Sequence, residues 1–141
     1  MDASVFLNAF NPHEAGHDTS HSLLARLQER ALPIVVPSLL LPEVAATISR
    51  GRGDVHLARE FTTALSRLPH LVLVSLDVVL AQQAAEVAAQ ARLRGSDAVY
   101  AAVALRFGSI LITLDREQKK RVSGVLTTRY PAEALAEERG S

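Results

Sequence analysis

The sequence predicts an α/β domain of three layers, with a central, mainly parallel sheet of four to five strands and helices on both faces. Three observations carry this. Short β-branched runs alternate with longer helical patterns along the chain. Those runs are apolar almost throughout rather than alternating, which suits strands covered on both sides. Finally, 141 residues with 48% hydrophobic and 21% charged side chains make one ordinary globular domain, 1–141, large enough to bury a core without staples.

The elements follow in order. Pro33-Ile34-Val35-Val36-Pro37 reads as a strand, Leu71-Val72-Leu73-Val74 as a second, Ser109-Ile110-Leu111-Ile112-Thr113 as a third and Gly124-Val125-Leu126-Thr127 as a weaker fourth. Val5-Phe6-Leu7 belongs either to a further strand or to the turn after one. Helices are predicted from His17 to Arg30, with Leu23, Leu24 and Leu27 on one face, and from Ser38 to Ser49. In the second, Pro42 falls near the first turn, where a missing N–H is tolerated. Arg50-Gly51-Arg52-Gly53-Asp54 breaks the chain before a helix to about Leu68. A helix from Asp77 to Arg92 takes Asp77 as N-cap, and one from Ala98 to Phe107 opens on Ser96 and ends at Gly108. Right-handed crossovers place the strands' carboxyl ends along one edge, where open α/β sheets carry their sites.

Composition removes several function classes. The absence of cysteine excludes disulfides, thiol nucleophiles, zinc fingers and thiolate-bound clusters. Fifteen basic against fifteen acidic side chains exclude a broadly cationic nucleic-acid binder. Met1-Asp2 lacks the basic start of a signal peptide. The longest apolar stretch, Ala31 to Ile48, is interrupted by Pro33, Pro37, Pro42 and Glu43, so no membrane span is expected and the protein is expected in the cytoplasm.

Four acids stand where these elements meet the sheet edge. Asp115 directly follows the third main strand, Asp97 lies in a first helical turn, Glu43 sits one turn into an otherwise apolar helix, and Asp2 heads the chain. Each alone has the ordinary explanation of a cap or turn residue. Together they are less ordinary, because Glu43 and Asp97 have apolar neighbours and buried carboxylates need partners. Clustered carboxylates call for protons or a divalent cation, and an all-oxygen set favours Mg²⁺ or Mn²⁺ over zinc.

The motifs Asp2-Ala3-Ser4-Val5-Phe6-Leu7-Asn8, Pro42-Glu43-Val44, Gly95-Ser96-Asp97-Ala98-Val99-Tyr100-Ala101-Ala102-Val103-Ala104 and Leu111-Ile112-Thr113-Leu114-Asp115-Arg116-Glu117 resemble PIN-domain nucleases, most closely VapC-type toxins of toxin–antitoxin pairs. The resemblance spans nearly the whole chain in the family's order. It implies a PIN-like domain in which Asp2, Glu43, Asp97 and Asp115 form an acidic quartet holding one or two Mg²⁺ or Mn²⁺ ions for hydrolysis of RNA phosphodiesters. Asp2, Asp97 and Asp115 would be mainly metal ligands, Glu43 would hold a second ion or orient the attacking water, and Ser4 and Thr113 would support them. It also implies a homodimer and a VapB-like antitoxin that presents a basic side chain to the acidic pocket.

In that family a central strand precedes the first Asp, whereas here only Met1 does. The first strand is therefore expected to be truncated, with a few apolar residues preceding Met1 in the native protein. Arg116, Lys119 and Lys120, with Arg50 and Arg52 in the Gly-containing break, are the candidate RNA contacts. Six Phe and Tyr residues in all leave little scope for base stacking, and Tyr100 and Phe107 are expected to pack inside. His13, His17 and His21 share helical spacing, but Pro12 and Gly16 favour a solvated segment over a metal site. The competing functions are a non-catalytic PIN scaffold and an unrelated Asp-based α/β phosphohydrolase. The haloacid-dehalogenase type of the latter needs a second Asp where Ser4 stands.

Overall fold

A computed structural model describes residues 1–140. In chain order its elements are α1 (Ala3–Phe10), α2 (His17–Glu29), β1 (Ile34–Pro37), α3 (Leu40–Arg52), α4 (Val55–Ser66), β2 (Leu71–Val74), α5 (Val78–Ala91), α6 (Gly95–Arg106), β3 (Leu111–Ile112), α7 (Arg116–Val122), β4 (Thr128–Arg129) and α8 (Pro131–Arg139). β1 pairs with β2 in parallel, Ile34 opposite Leu71. β3 pairs with β4 in parallel, Leu111 opposite Thr128.

The single sheet of four to five strands expected from sequence is thus two parallel pairs. Local hydrogen bonding shortens the second pair. The Ser109 N–H donates to the Ala104 carbonyl and closes α6, so β3 starts only at Leu111. Likewise Val125 and Leu126 donate to the Val122 carbonyl and close α7, which moves the fourth strand from 124–127 to Thr128–Arg129. Beside β3, Asp2 is extended and its N–H donates to the Ile112 carbonyl at 3.0 Å, but the chain turns into α1 at Ala3. Val5–Leu7 is therefore helix, not strand or turn: Val5, Phe6 and Ala9 form a buried helical face, and packing overrides the β preference of the Val-Phe pair.

Strand side chains still divide between two cores, as a three-layer arrangement requires. Ile34, Val36 and Ile112 join Phe6, Leu23, Leu40, Leu65 and Leu135 from α1, α2, α3, α4 and α8. Val35 and Leu111 point the other way, toward Leu80, Tyr100, Val103 and Val122 from α5, α6 and α7. Helix α6 packs on both β1 and β3, and every residue from Ala98 to Ala104 is buried. The small side chains of that run let it lie inside the molecule. β2 departs from the expected burial: Val72 and Leu73 are exposed, so it is a thinly covered edge strand.

Capping matches expectation at Asp77, whose carboxylate accepts from the Leu80 N–H at 2.8 Å. It differs at α6, which starts one residue before Ser96, so Ser96 lies in the first turn and Arg94 takes the cap position. Helix α8 has no counterpart in the sequence-based assignment; it starts on Pro131 and packs on α2. No described helix is long and apolar enough to cross a membrane.

Phe6, on α1, is fully buried in the core shared with α2, α3, α4 and α8, about one helical turn from Asp2. Phe6→Ala should cost about 3–5 kcal/mol in urea unfolding. A loss below about 1 kcal/mol would show that α1 is not anchored through this side chain.

Candidate active site

Asp2 is fixed twice to the end of β3. Its backbone N–H bonds to Ile112, and its carboxylate, 6% exposed as a residue, accepts from the hydroxyls of Ser4 (2.5 Å) and Thr113. Thr113 Oγ1 in turn accepts the Asp115 N–H at 3.0 Å, and the buried Gln118 amide lies 2.9 Å from the same oxygen. Asp115 caps α7: Oδ1 accepts from the N–H groups of Glu117 (2.9 Å) and Gln118 (3.1 Å). The ordinary explanation for this acid is therefore correct as far as it goes, but it uses only one oxygen. Oδ2 faces the Arg94 Nη2 at 3.2 Å.

The other two acids come from helix starts. Glu43, half-buried in the first turn of α3, accepts the Tyr100 hydroxyl at 2.6 Å. Asp97, in the first turn of α6, accepts from Arg94 Nε at 3.1 Å. Tyr100 stands three residues after Asp97, on the same side of α6, so one helix supplies an acid and the group that orients another.

Burial is the first cause that lifts Glu43 above the usual carboxylate range; the Tyr100 bond opposes it, and the charges of Asp97 and Asp2 add to it. Asp97 is raised by burial too, against the Arg94 bond and charge, with Asp115 and Asp2 adding to the rise. Asp2 and Asp97 thus act on Glu43, and Asp2 and Asp115 on Asp97, across one partly buried site. Burial and Glu43 together keep the Tyr100 hydroxyl protonated.

Among the described residues no three His, Cys, Asp or Glu side chains converge closely enough to cage an ion. Hydroxyls and the Arg94 guanidinium hold the acids instead. The donor set nevertheless fits a hard divalent cation: it is all oxygen, partly desolvated, carries surplus negative charge, and already has one cationic group bridging Asp97 and Asp115. Those two acids open into a cleft of about 410 Å³ whose rim carries Arg92, Arg94 and Arg121.

Ser4 and Thr113 both reach Asp2, where the sequence placed them. The basic candidates scatter. Lys119 pairs with Glu133 at 3.6 Å and sits over the Tyr130 ring, Lys120 is exposed, and Arg116 lines a different cleft with Leu114 and Tyr130. Arg50 is exposed and donates to the Ala46 carbonyl, whereas Arg52 lines an apolar cleft of about 710 Å³ with Phe10, Phe61 and Ser4. His17 Nδ1 lies 2.9 Å from the Asn8 carbonyl, and His13 is exposed. Sequence reasoning missed Arg94 and Gln118 and took Tyr100 for packing alone. Their signal was spacing: Arg94 precedes Asp97 by three, and Gln118 follows Asp115 by three.

The raised carboxyls give a pH dependence of known sign. Glu43 and Asp97 bind protons more tightly folded than at their ordinary values of 4.5 and 3.8. Their contribution is complete below those values and is lost as pH rises through the raised folded values. In chelator, melting of the wild type should fall across that window more steeply than melting of Glu43→Gln. Parallel curves would refute the assignment.

Residues 1–123 match the family model described as PIN domain, a span that includes all four acids, Ser4, Arg94, Tyr100 and Thr113. No curated protein matches the chain. A match over most of the sequence, on a three-layer α/β frame that brings the acids to one site, means that this chain belongs to the PIN domain family.

Proposed function

We propose that this protein is a Mg²⁺- or Mn²⁺-dependent endoribonuclease that hydrolyses RNA phosphodiester bonds, and that it is the toxin of a VapBC-type pair. Family membership supports nuclease chemistry in general. The observation that carries the reading to this chain is geometric: Thr113 links Asp2 to the Asp115 N–H, Arg94 bridges Asp97 and Asp115, and Tyr100, on the same helix as Asp97, holds Glu43.

Asp2, Asp97 and Asp115 would hold the ion, directly or through water, and Glu43 would hold a second ion or orient the attacking water. When bound, the ion supplies a water of lowered pKa and a Lewis-acid contact to the scissile phosphate. The protein's own groups do the rest. Ser4 and Thr113 lock the Asp2 carboxylate in one orientation, and Tyr100 holds one Glu43 oxygen so that the other is free to accept from water. Burial raises the proton affinity of Glu43 and suits it to that role.

The VapB-like antitoxin, the homodimer and the cytoplasmic setting belong to the same proposal and draw on the motif resemblance. A non-catalytic PIN scaffold draws on the Arg94 bridge, which already compensates two of the acids.

One experiment separates these readings: incubation of single-stranded and hairpin RNA with purified protein and Mg²⁺ or Mn²⁺. Cleavage should fall to background in Asp97→Asn. Thr113→Val, which removes a supporting hydroxyl, should lose about 10–100-fold. Equal cleavage by wild type and Asp97→Asn would sink the nuclease reading. Growth arrest on expression, relieved by the adjacent small gene, tests the toxin role.

A further inference from the structure

We propose that Arg94 occupies the acidic pocket when no ion is bound, is displaced by a divalent cation, and then serves as a phosphate contact in the same cleft. This rests on the nuclease function proposed above. The geometry points to direct competition for atoms. Asp115 Oδ1 is committed to two backbone N–H groups of α7, which leaves Oδ2 for an ion, and Arg94 Nη2 sits 3.2 Å from it. Arg94 Nε lies 3.1 Å from Asp97 Oδ2.

The guanidinium also comes from the right side. The Arg94 side chain is 76% exposed, against 18% for Asp97 and 33% for Asp115, so it covers the carboxylates from solvent. Its backbone is extended, just before α6, and the side chain can swing away without disturbing the helix. Exposed ion pairs are weak and screened by salt, so a divalent cation can replace this one. Once released, Arg94 joins Arg92 on the cleft rim beside Arg121, which is itself held by Glu117 and the Arg92 carbonyl, and the freed guanidinium suits a phosphodiester oxygen pair.

The test measures Mn²⁺ binding without RNA, from the electron paramagnetic resonance signal of free Mn²⁺, and KM for RNA at saturating Mn²⁺. Arg94→Ala should bind Mn²⁺ about three- to tenfold more tightly, as expected for the loss of two exposed pairs, and should raise KM. Arg94→Lys, which keeps the charge but loses the two-pronged reach, should fall between. Arg92→Ala is the control: it removes a charge from the same cleft but no contact to the acids. Tightening by Arg92→Ala equal to that by Arg94→Ala would reduce the effect to net charge and overturn the proposal. So would unchanged Mn²⁺ affinity or unchanged KM in Arg94→Ala while Asp97→Asn binds weakly. Equal Mn²⁺ binding by wild type and Asp97→Asn would instead bring down the metal-nuclease reading itself.

Discussion

The double attachment of Asp2 to the end of β3 is the constraint on which the site depends. Main chain and side chain bond to adjacent residues of one strand end, Ile112 and Thr113, and the Ser4 hydroxyl closes the other side. A carboxylate this buried is costly without such partners. With them, it sets where α1 begins and how Phe6 enters the core. Through Thr113 it also ties to the Asp115 N–H, so two acids far apart in sequence are positioned through one hydroxyl.

Desolvation, rather than like-charge repulsion, is the larger force on the remaining acids. Two carboxylates at 4 Å repel by about 4 kcal/mol at an effective dielectric of 20, and repulsion alone would seem enough to demand a cation. Yet for both Glu43 and Asp97 burial comes first and neighbouring charge later. The fold meets this with different donors: a Tyr hydroxyl for Glu43 and an exposed guanidinium for Asp97 and Asp115. Tyr100 is built into the interior of α6, whereas Arg94 lies outside it. One partner is buried in the core and the other is exposed at the rim of the cleft.

Much of the frame was legible because its signals are local. The runs 34–37 and 71–74 are β-branched and apolar, and both are strands. Asp77 caps its helix through a bond that reaches only three residues ahead. The failures share one cause. Val5–Leu7 has strand composition, but its burial against α2 and α3 selects helix. The third and fourth strands shrink and shift because Ala104 and Val122 carbonyls capture N–H groups that a sheet would have used. Lys119 was a candidate RNA contact, but folding hands it to Glu133 and Tyr130.

By itself the sequence determined the α/β class of fold and the chain positions of the four acids, and it singled out Ser4 and Thr113, whose hydroxyls both bond to Asp2, since residue type and local spacing carry that information. Tertiary structure alone decided that the strands form two pairs, that Tyr100 serves Glu43, and that Arg94 rather than the 116–120 cluster bridges two of the acids. Those outcomes turn on competition among distant partners for the same oxygens and N–H groups. Such competition is resolved only when the chain has brought them within hydrogen-bond reach.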